Sequence, residues 1–441
     1  MKAPLLKTLR DIERADSDPL RQALFQHLRE TNLAVRLVWR IHQRLGSSYI
    51  SSALVFLFGV KSYVLPGLSA RDGNKALAVA VRENARKQVR QLASWIGEDS
   101  VAWLRLDASQ LLSPQTYGRL LKGMASWKTC LRLYRTVDRL NRRHDFLVSC
   151  RSASALFSYV RAKEIFRRYS PSGVIVSSDS NPEPLAFARA AAASRVPTVF
   201  ISHAYPTPVS PRLQFTLSIL EGQAALDRYE RKGPARGRVI FCGAEGDSEP
   251  MRPERARKRN PTVGIFAPKV ILWPQFAALI EDCRRFFAPS RILIRWHPSM
   301  LDVPRLAAAL EQREGIEETD PDQSLQAVAR ECDWAIADEN SNVHLGVLKA
   351  GVPTVSMREL SVLPASRSDL YGFVENRIVP PPVASLSELS LDELVEFFSG
   401  DWPERFRMYD ASYLIPSAAV IEKVRDDVLR VLVSGRAPIQ S

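Results

Sequence analysis

Two imidazoles and a handful of ionisable groups stand where apolar runs stop. "RILIRWHP" ends in Arg295, Trp296, His297 and Pro298, and "PTVFISH" ends in His203. "TVGIFAP" leads to Lys269, "GVIVSSD" to Asp179, and "DWAIAD" to Asp338, Glu339, Asn340, Ser341 and Asn342. An imidazole titrates near neutrality, so it can take a proton from a hydroxyl or share one with a phosphate oxygen. Side chains two apart on a strand share a face, so Arg295 and His297 point together and Trp296 points away. Two potential cations on one face suit an anion. Ser341 or Asn342 precedes the helical run Val343, Leu345, Val347, Leu348 and can cap it, and a helix start carries free N–H groups. Each feature also has an ordinary structural explanation: a polar strand end, or a helix capped without a ligand.

The elements that must position these residues alternate. From about residue 150, short β-branched runs and amphipathic helices follow one another, the pattern of parallel sheets with helices on both faces. The alternation pauses at the polar, proline-bearing stretch 245–261 and then restarts. The expected fold is α/β, two doubly wound Rossmann-like domains facing a cleft, with an extra helical N-terminal region. Residues 1–145 read as helices belonging to the first domain, including "GNKALAVAVRENARKQVRQLASWIG" as one helix. Residues 146–244 complete that domain, 245–261 link, 262–400 form the second domain, and helices in 401–441 pack back on the first. Ligands of open parallel sheets bind beyond the carboxyl ends of strands, where the residues above lie.

Composition narrows the class. A chain of 441 residues with 46% hydrophobic and 25% charged residues is globular and too long for one ordinary core. The net charge of +13 favours an anionic partner: nucleic acid, a membrane surface or a phosphate-bearing substrate. No zinc-finger spacing or RNA-binding aromatic signature occurs, so nucleic acid is not expected. No GxGxxG or Walker pattern occurs either. Five widely spaced cysteines, with no CxxC, fit unpaired thiols in a reducing, cytoplasmic setting. The stretch "YISSALVFLFGV" (49–60) is too short to span a bilayer, which takes about twenty residues. It reads either as a buried helix or as one lying at a membrane interface between basic flanks.

Taken together, "RWHPSM", "ENSNVHLGVLKAGVPTV" and "SSDSNPEPLAFARAAAASRVPTVFISHAYP" resemble segments of the GT-B-type transferases that use CMP- or CDP-activated donors. These are the bacterial polysialyltransferases, capsule transferases and CDP-glycerol glycerophosphotransferases with an HP motif. The resemblance covers roughly residues 150 to 430. It implies that His297 and Ser341, with the helix start at Asn342, hold donor phosphate, helped by Lys269 and Arg295. It implies nucleotide contacts from Glu339 and Pro298, and His203 as the base on the acceptor, with Asp179 beside it. The implied reaction is inverting transfer to a hydroxyl of a cell-surface glycan or glycolipid, by an enzyme in the cytoplasm or peripheral on the inner membrane. No cofactor is expected, and no metal, since no DxD-type pair occurs. The family's "HG" is "HA" here, with Ala204 after His203. An epimerase of the same fold and a non-catalytic membrane-surface protein are the competing readings.

Overall fold

The computed structural model describes residues 3–16, 22, 33–46, 48–60, 74–81, 83–104, 127–208, 210–244, 246–269, 271–298, 300, 315–320, 322–361 and 369–434. Two parallel sheets organise the chain. The first holds β1 (Ala76–Val79), β2 (Val101–Trp103), β3 (Gly173–Val176), β4 (Thr198–Ile201), β5 (Gln214–Leu220) and β6 (Arg236–Phe241), in the order β2-β1-β3-β4-β5-β6. The second holds β7 (Thr262–Phe266), β8 (Arg291–Arg295), β9 (Ile316–Glu318), β10 (Trp334–Asp338) and β11 (Thr354–Met357), in the order β11-β10-β7-β8-β9. Two doubly wound sheets are what the alternation predicts.

The sheets form because their strands are apolar on both faces. Every residue of β1, β3, β4, β10 and β11 is buried, as parallel strands sandwiched by helices must be. The two-residue period sorts them. Leu77, Val79, Val174, Val176 and Phe200 join the core on one face of the first sheet. Ala76, Ala78, Ile175, Val199 and Ile201 join the core on the other.

The helices are α1 (Ala3–Asp16), α2 (Leu33–Leu45), α3 (Tyr49–Val60), α4 (Glu83–Ile96), α5 (Trp127–Asn141), α6 (Phe146–Arg168) and α7 (Pro182–Ala192) in the first part. Beyond them lie α8 (Gln223–Glu230), α9 (Trp273–Phe287), α10 (Leu325–Glu331), α11 (Val343–Lys349), α12 (Leu391–Phe397), α13 (Trp402–Tyr409) and α14 (Ser417–Ser434). Helix α7 packs on β1, β3 and β4, α6 packs on α7, and α1, α3 and α5 pack on α6, α1 touching α7 as well. Asp11 of α1 is tied to Arg189 of α7 at 2.9 Å, and Asp16 to Arg151 of α6 at 2.8 Å. The last helix returns to the first sheet: Val424, Val428 and Leu432 pack with Ile175, Val199 and the α4 residues Val89 and Leu92. No helix among the described residues is long and apolar enough to cross a membrane.

The reading of residues 1–145 as helices is corrected. Residues 76–79 and 101–103 are not helical; they are β1 and β2, paired in parallel with each other, and β1 pairs with β3 as well, while α4 begins only at Glu83. Ala-Leu-Ala-Val has weak β-propensity, and helix formers surround it. Burial between two strands overrides that local preference. The helix expected near "VPRLAAALEQREG" lies mostly outside the described residues.

Candidate active site

The second sheet reverses direction between β7 and β10: β8 and β9 are added on one side of β7, β10 and β11 on the other. Such a switch point opens a crevice at the carboxyl ends of the strands. Lys269 follows β7, His297 follows β8 and Glu339 follows β10. The three strands are immediate neighbours, Phe266 pairing with both Arg295 and Ala337. Sequence-distant residues thus come within one or two strand spacings, about 4.8 Å each.

Arg295, Lys269 and His297 form a cationic group. Burial, then Lys269, then Arg295 hold the His297 imidazole below its ordinary value. It is therefore a neutral donor and acceptor held in a positive field. Arg295 donates from Nη2 to the carbonyl of Gln323 at 3.0 Å, and its buried Nε has no hydrogen-bond partner. Trp296 turns to the opposite side and packs on Phe276 of α9, ring centroids 5.6 Å apart. Lys269 and Pro298 are exposed.

Beside this group the β10 end carries two carboxyls. Burial pushes Asp338 up to about 6, although the backbone N–H groups of Asn340 and Ser361 pull the other way. Burial, with Asp338 next to it, pushes Glu339 up to about 7, opposed in part by Arg358. Glu339 is 7% exposed, and its Oε2 has no hydrogen-bond partner. The turn that follows is held from inside. His344 is fully buried and neutral, its value lowered to about 4 by burial. Its Nε2 lies 3.1 Å from the Asp338 carbonyl and its Nδ1 2.9 Å from the Thr354 hydroxyl. A carbonyl can only accept, so Nε2 carries the proton and Nδ1 accepts from Thr354. The Ser341 hydroxyl accepts from the Val343 N–H at 3.3 Å. Asn342 occupies the cap position with helical backbone angles and no side-chain cap bond, and its Oδ1 is buried without a partner.

The first sheet presents a different chemistry. Asp179, His203 and Glu221 follow the adjacent strands β3, β4 and β5. Asp179 is buried and its Oδ2 accepts from the Tyr229 hydroxyl at 2.8 Å. His203 is half-buried. The Ser202 hydroxyl donates to the Ala204 carbonyl at 2.9 Å and shapes the turn after His203. Burial drives the Glu221 carboxyl upward, and Asp410 and Asp179 push the same way. Its Oε2 is buried without a hydrogen-bond partner. Glu221 has no role in the sequence reading, although a carboxylate ending the apolar run "FTLSILEG" is a visible signal.

Contacts between the two halves surround these groups. Arg228 of α8 donates to the carbonyls of Leu370 and Asp369. Tyr205, just past β4, stacks on Tyr409 with centroids 4.8 Å apart and meets Phe373, which in turn lies against His344. Lys349, at the end of α11, is 1% exposed and pairs with Asp410 at 2.9 Å. The structure thus gathers Lys269, Arg295 and His297 in one group, Glu339, Ser341 and Asn342 on the next strand end, and Asp179 and His203 on neighbouring strands of the other sheet.

No family model matches the chain, and no curated protein matches it. Among solved structures it is similar to MurG of Acinetobacter baumannii, at 11% identity and a TM-score of 0.41, covering 81% of this chain and 99% of that one. It is also similar to the UDP-GlcNAc 2-epimerase of Neisseria meningitidis bound to UDP-GlcNAc (11%, TM-score 0.43, 81% of this chain and 100% of that one). A third is the glycotransferase of kitacinnamycin (14%, TM-score 0.46, 82% of this chain and 99% of that one). At these values the likenesses are remote ones of overall form.

Proposed function

We propose that the chain is a metal-independent transferase that moves a glycosyl or polyol-phosphate group from a nucleotide-activated donor to a hydroxyl acceptor. The observation that carries this reading is the group Lys269, Arg295 and His297 at the switch point, with the unpartnered Glu339 carboxyl on the adjoining strand end. A phosphate is the anion that such a cluster of basic groups suits. A hydroxyl-bearing ribose or base supplies the hydrogen bonds that Glu339 lacks. The resemblance of "RWHPSM" to the HP motif favours a CMP- or CDP-linked donor and an acceptor of the cell envelope.

In the reaction, the acceptor oxygen attacks the reacting centre of the donor while its proton passes to the His203 imidazole. The bond to the donor phosphate breaks, and the electron pair leaves with the nucleotide. Lys269, Arg295 and His297 stabilise the charge that develops there, where fixed positive groups contribute most. Asp179, held by Tyr229, lines the acceptor side. The raised carboxyls Asp338, Glu339 and Glu221 favour one second reading, an epimerase that moves a proton on the sugar itself.

A thermal-shift panel of CMP, CDP, UDP and GDP identifies the donor class, and one of the cytidine nucleotides is expected to stabilise most. His297→Ala is expected to weaken nucleotide binding by about ten- to a hundredfold, the loss of one charge-assisted hydrogen bond. His203→Ala is expected to spare binding and cut turnover by about 10²–10⁴-fold. A new sugar formed from donor alone would establish the epimerase instead. Full activity in His203→Ala would remove it as the base.

A further inference from the structure

Helix α3 carries apolar residues on both faces. Its inner face buries Val55 and Val60 together with Ser51 and Ser52, and Gly59 packs so closely that a Cβ there would stand 2.7 Å from the Phe157 ring. The serines are satisfied from α5. The Ser52 hydroxyl donates to Asp138 at 2.7 Å, and the Asn141 amide donates to Ser51 at 3.0 Å and to Ser52 at 3.2 Å. Its outer face is apolar: Tyr49 is 69% exposed, Ile50 62%, Leu54 36% and Leu57 55%. A helix on a water-facing surface normally keeps its outer face polar. The hydrogen bonds of Ser51 and Ser52 to α5 fix the serine side inward and leave the apolar row outside.

A row of cations borders that apolar face. Helix α5 exposes Arg132, Arg135 and Arg139, spaced to share one side of the helix, and Arg143 is exposed in the turn just after it. Arg142 joins the two surfaces, its guanidinium 5.3 Å from the centre of the Tyr49 ring. On α2, Arg40, Ile41 and Arg44 are exposed as well. Asp138 is the only acid of α5, and it is engaged by Ser52 and Arg142.

We propose that this outer layer seats the protein on an anionic lipid bilayer. The apolar row of α3 enters the headgroup boundary and the arginines of α5 and α2 meet lipid phosphates. Shallow burial of an apolar helix face beside basic residues is how interfacial helices bind, and the basic residues select negatively charged membranes. Helices α3 and α5 pack on α6 and on each other. The inference is independent of the transferase reading, and a lipid-binding assay without nucleotide tests it alone.

The experiment is co-sedimentation of the full chain with vesicles of phosphatidylcholine, with or without about one-third phosphatidylglycerol. The expected result is binding at least about tenfold stronger to the anionic vesicles, weakened by salt. Leu54→Gln with Leu57→Gln is expected to lose about tenfold or more with an unchanged thermal transition, because both positions are exposed. Arg135→Gln with Arg139→Gln is expected to abolish the preference for anionic lipid. Equal binding to both vesicle types, or glutamine variants that bind like the parent, overturns the proposal. So does a dimer in lipid-free solution that the leucine changes dissociate, since the face would then belong to a second copy.

Discussion

Glu339→Gln separates the cost of a buried carboxyl from its use. In the folded chain burial and Asp338 raise this group from 4.5 to about 7. A raised folded value means that the folded state holds the proton more tightly than the unfolded chain. Stability from this group is therefore complete below about pH 4.5 and lost as pH rises through about 7. The shift of 7 − 4.5 = 2.5 pH units sets a ceiling of about 3 kcal/mol at 1.36 kcal/mol per unit. Relaxation of the surroundings around the charged form reduces this to about 2 kcal/mol. Glutamine keeps the shape and never ionises. Urea unfolding at about pH 4 and about pH 8 should show the variant near parity at the lower pH, below the unfolded value. At the higher pH it should be more stable than the parent by about 2 kcal/mol. The same variant should lose nucleotide affinity, since the unpartnered Oε2 is the atom offered to the ligand. If the variant is no more stable than the parent at pH 8, the carboxylate is compensated in solution and the reasoning fails.

Three further outcomes follow from the geometry. Lys349→Met leaves Asp410 charged and buried, and is expected to cost about 3–5 kcal/mol in urea unfolding; adding Asp410→Asn should restore a large part of it. His297 is held low by burial, Lys269 and Arg295, and a bound phosphate reverses that field. Nucleotide binding should take up a proton near neutral pH and tighten as pH falls, read by calorimetry in buffers of different ionisation enthalpy. Gly351 ends α11 with φ +72°, and a Cβ would stand 2.4 Å from the Pro250 carbonyl oxygen. Gly351→Ala should therefore cost at least about 1–3 kcal/mol by thermal unfolding.

The sheet strands from β3 onward, β9 apart, were legible because each is a short apolar run bounded by polar residues; β9 is Ile-Glu-Glu, mostly exposed, and carries no such signal. β1 was not legible either: its four residues sit inside a helix-forming stretch, and only its neighbours β2 and β3 make it a strand. The grouping of Lys269, Arg295 and His297 follows from strand order, which alternation alone leaves open. His344 looks like any residue of a helical run, yet it pins the Asp338 turn from within. Glu221 needs Asp179 and Asp410, brought together only by tertiary packing, before its carboxyl reads as unusual. Helix α3 was ambiguous in sequence because its outward face can be assigned only once Ser51 and Ser52 find Asp138 and Asn141.

The two halves carry opposite chemistry, and that division argues for transfer. A leaving nucleotide gathers negative charge, so fixed cations belong on its side. An attacking hydroxyl loses a proton, so a proton acceptor belongs on the other. Lys269, Arg295 and His297 occupy the second sheet, and His203 with the carboxyls Asp179 and Glu221 occupies the first. Glu339 and Glu221 each keep a buried oxygen without a hydrogen-bond partner, an arrangement that works against stability. Groups that cost stability persist where function requires them, and here they stand at strand ends on both sides of the crevice. The stability gained by Glu339→Gln and the nucleotide affinity lost with it are thus two readings of one design.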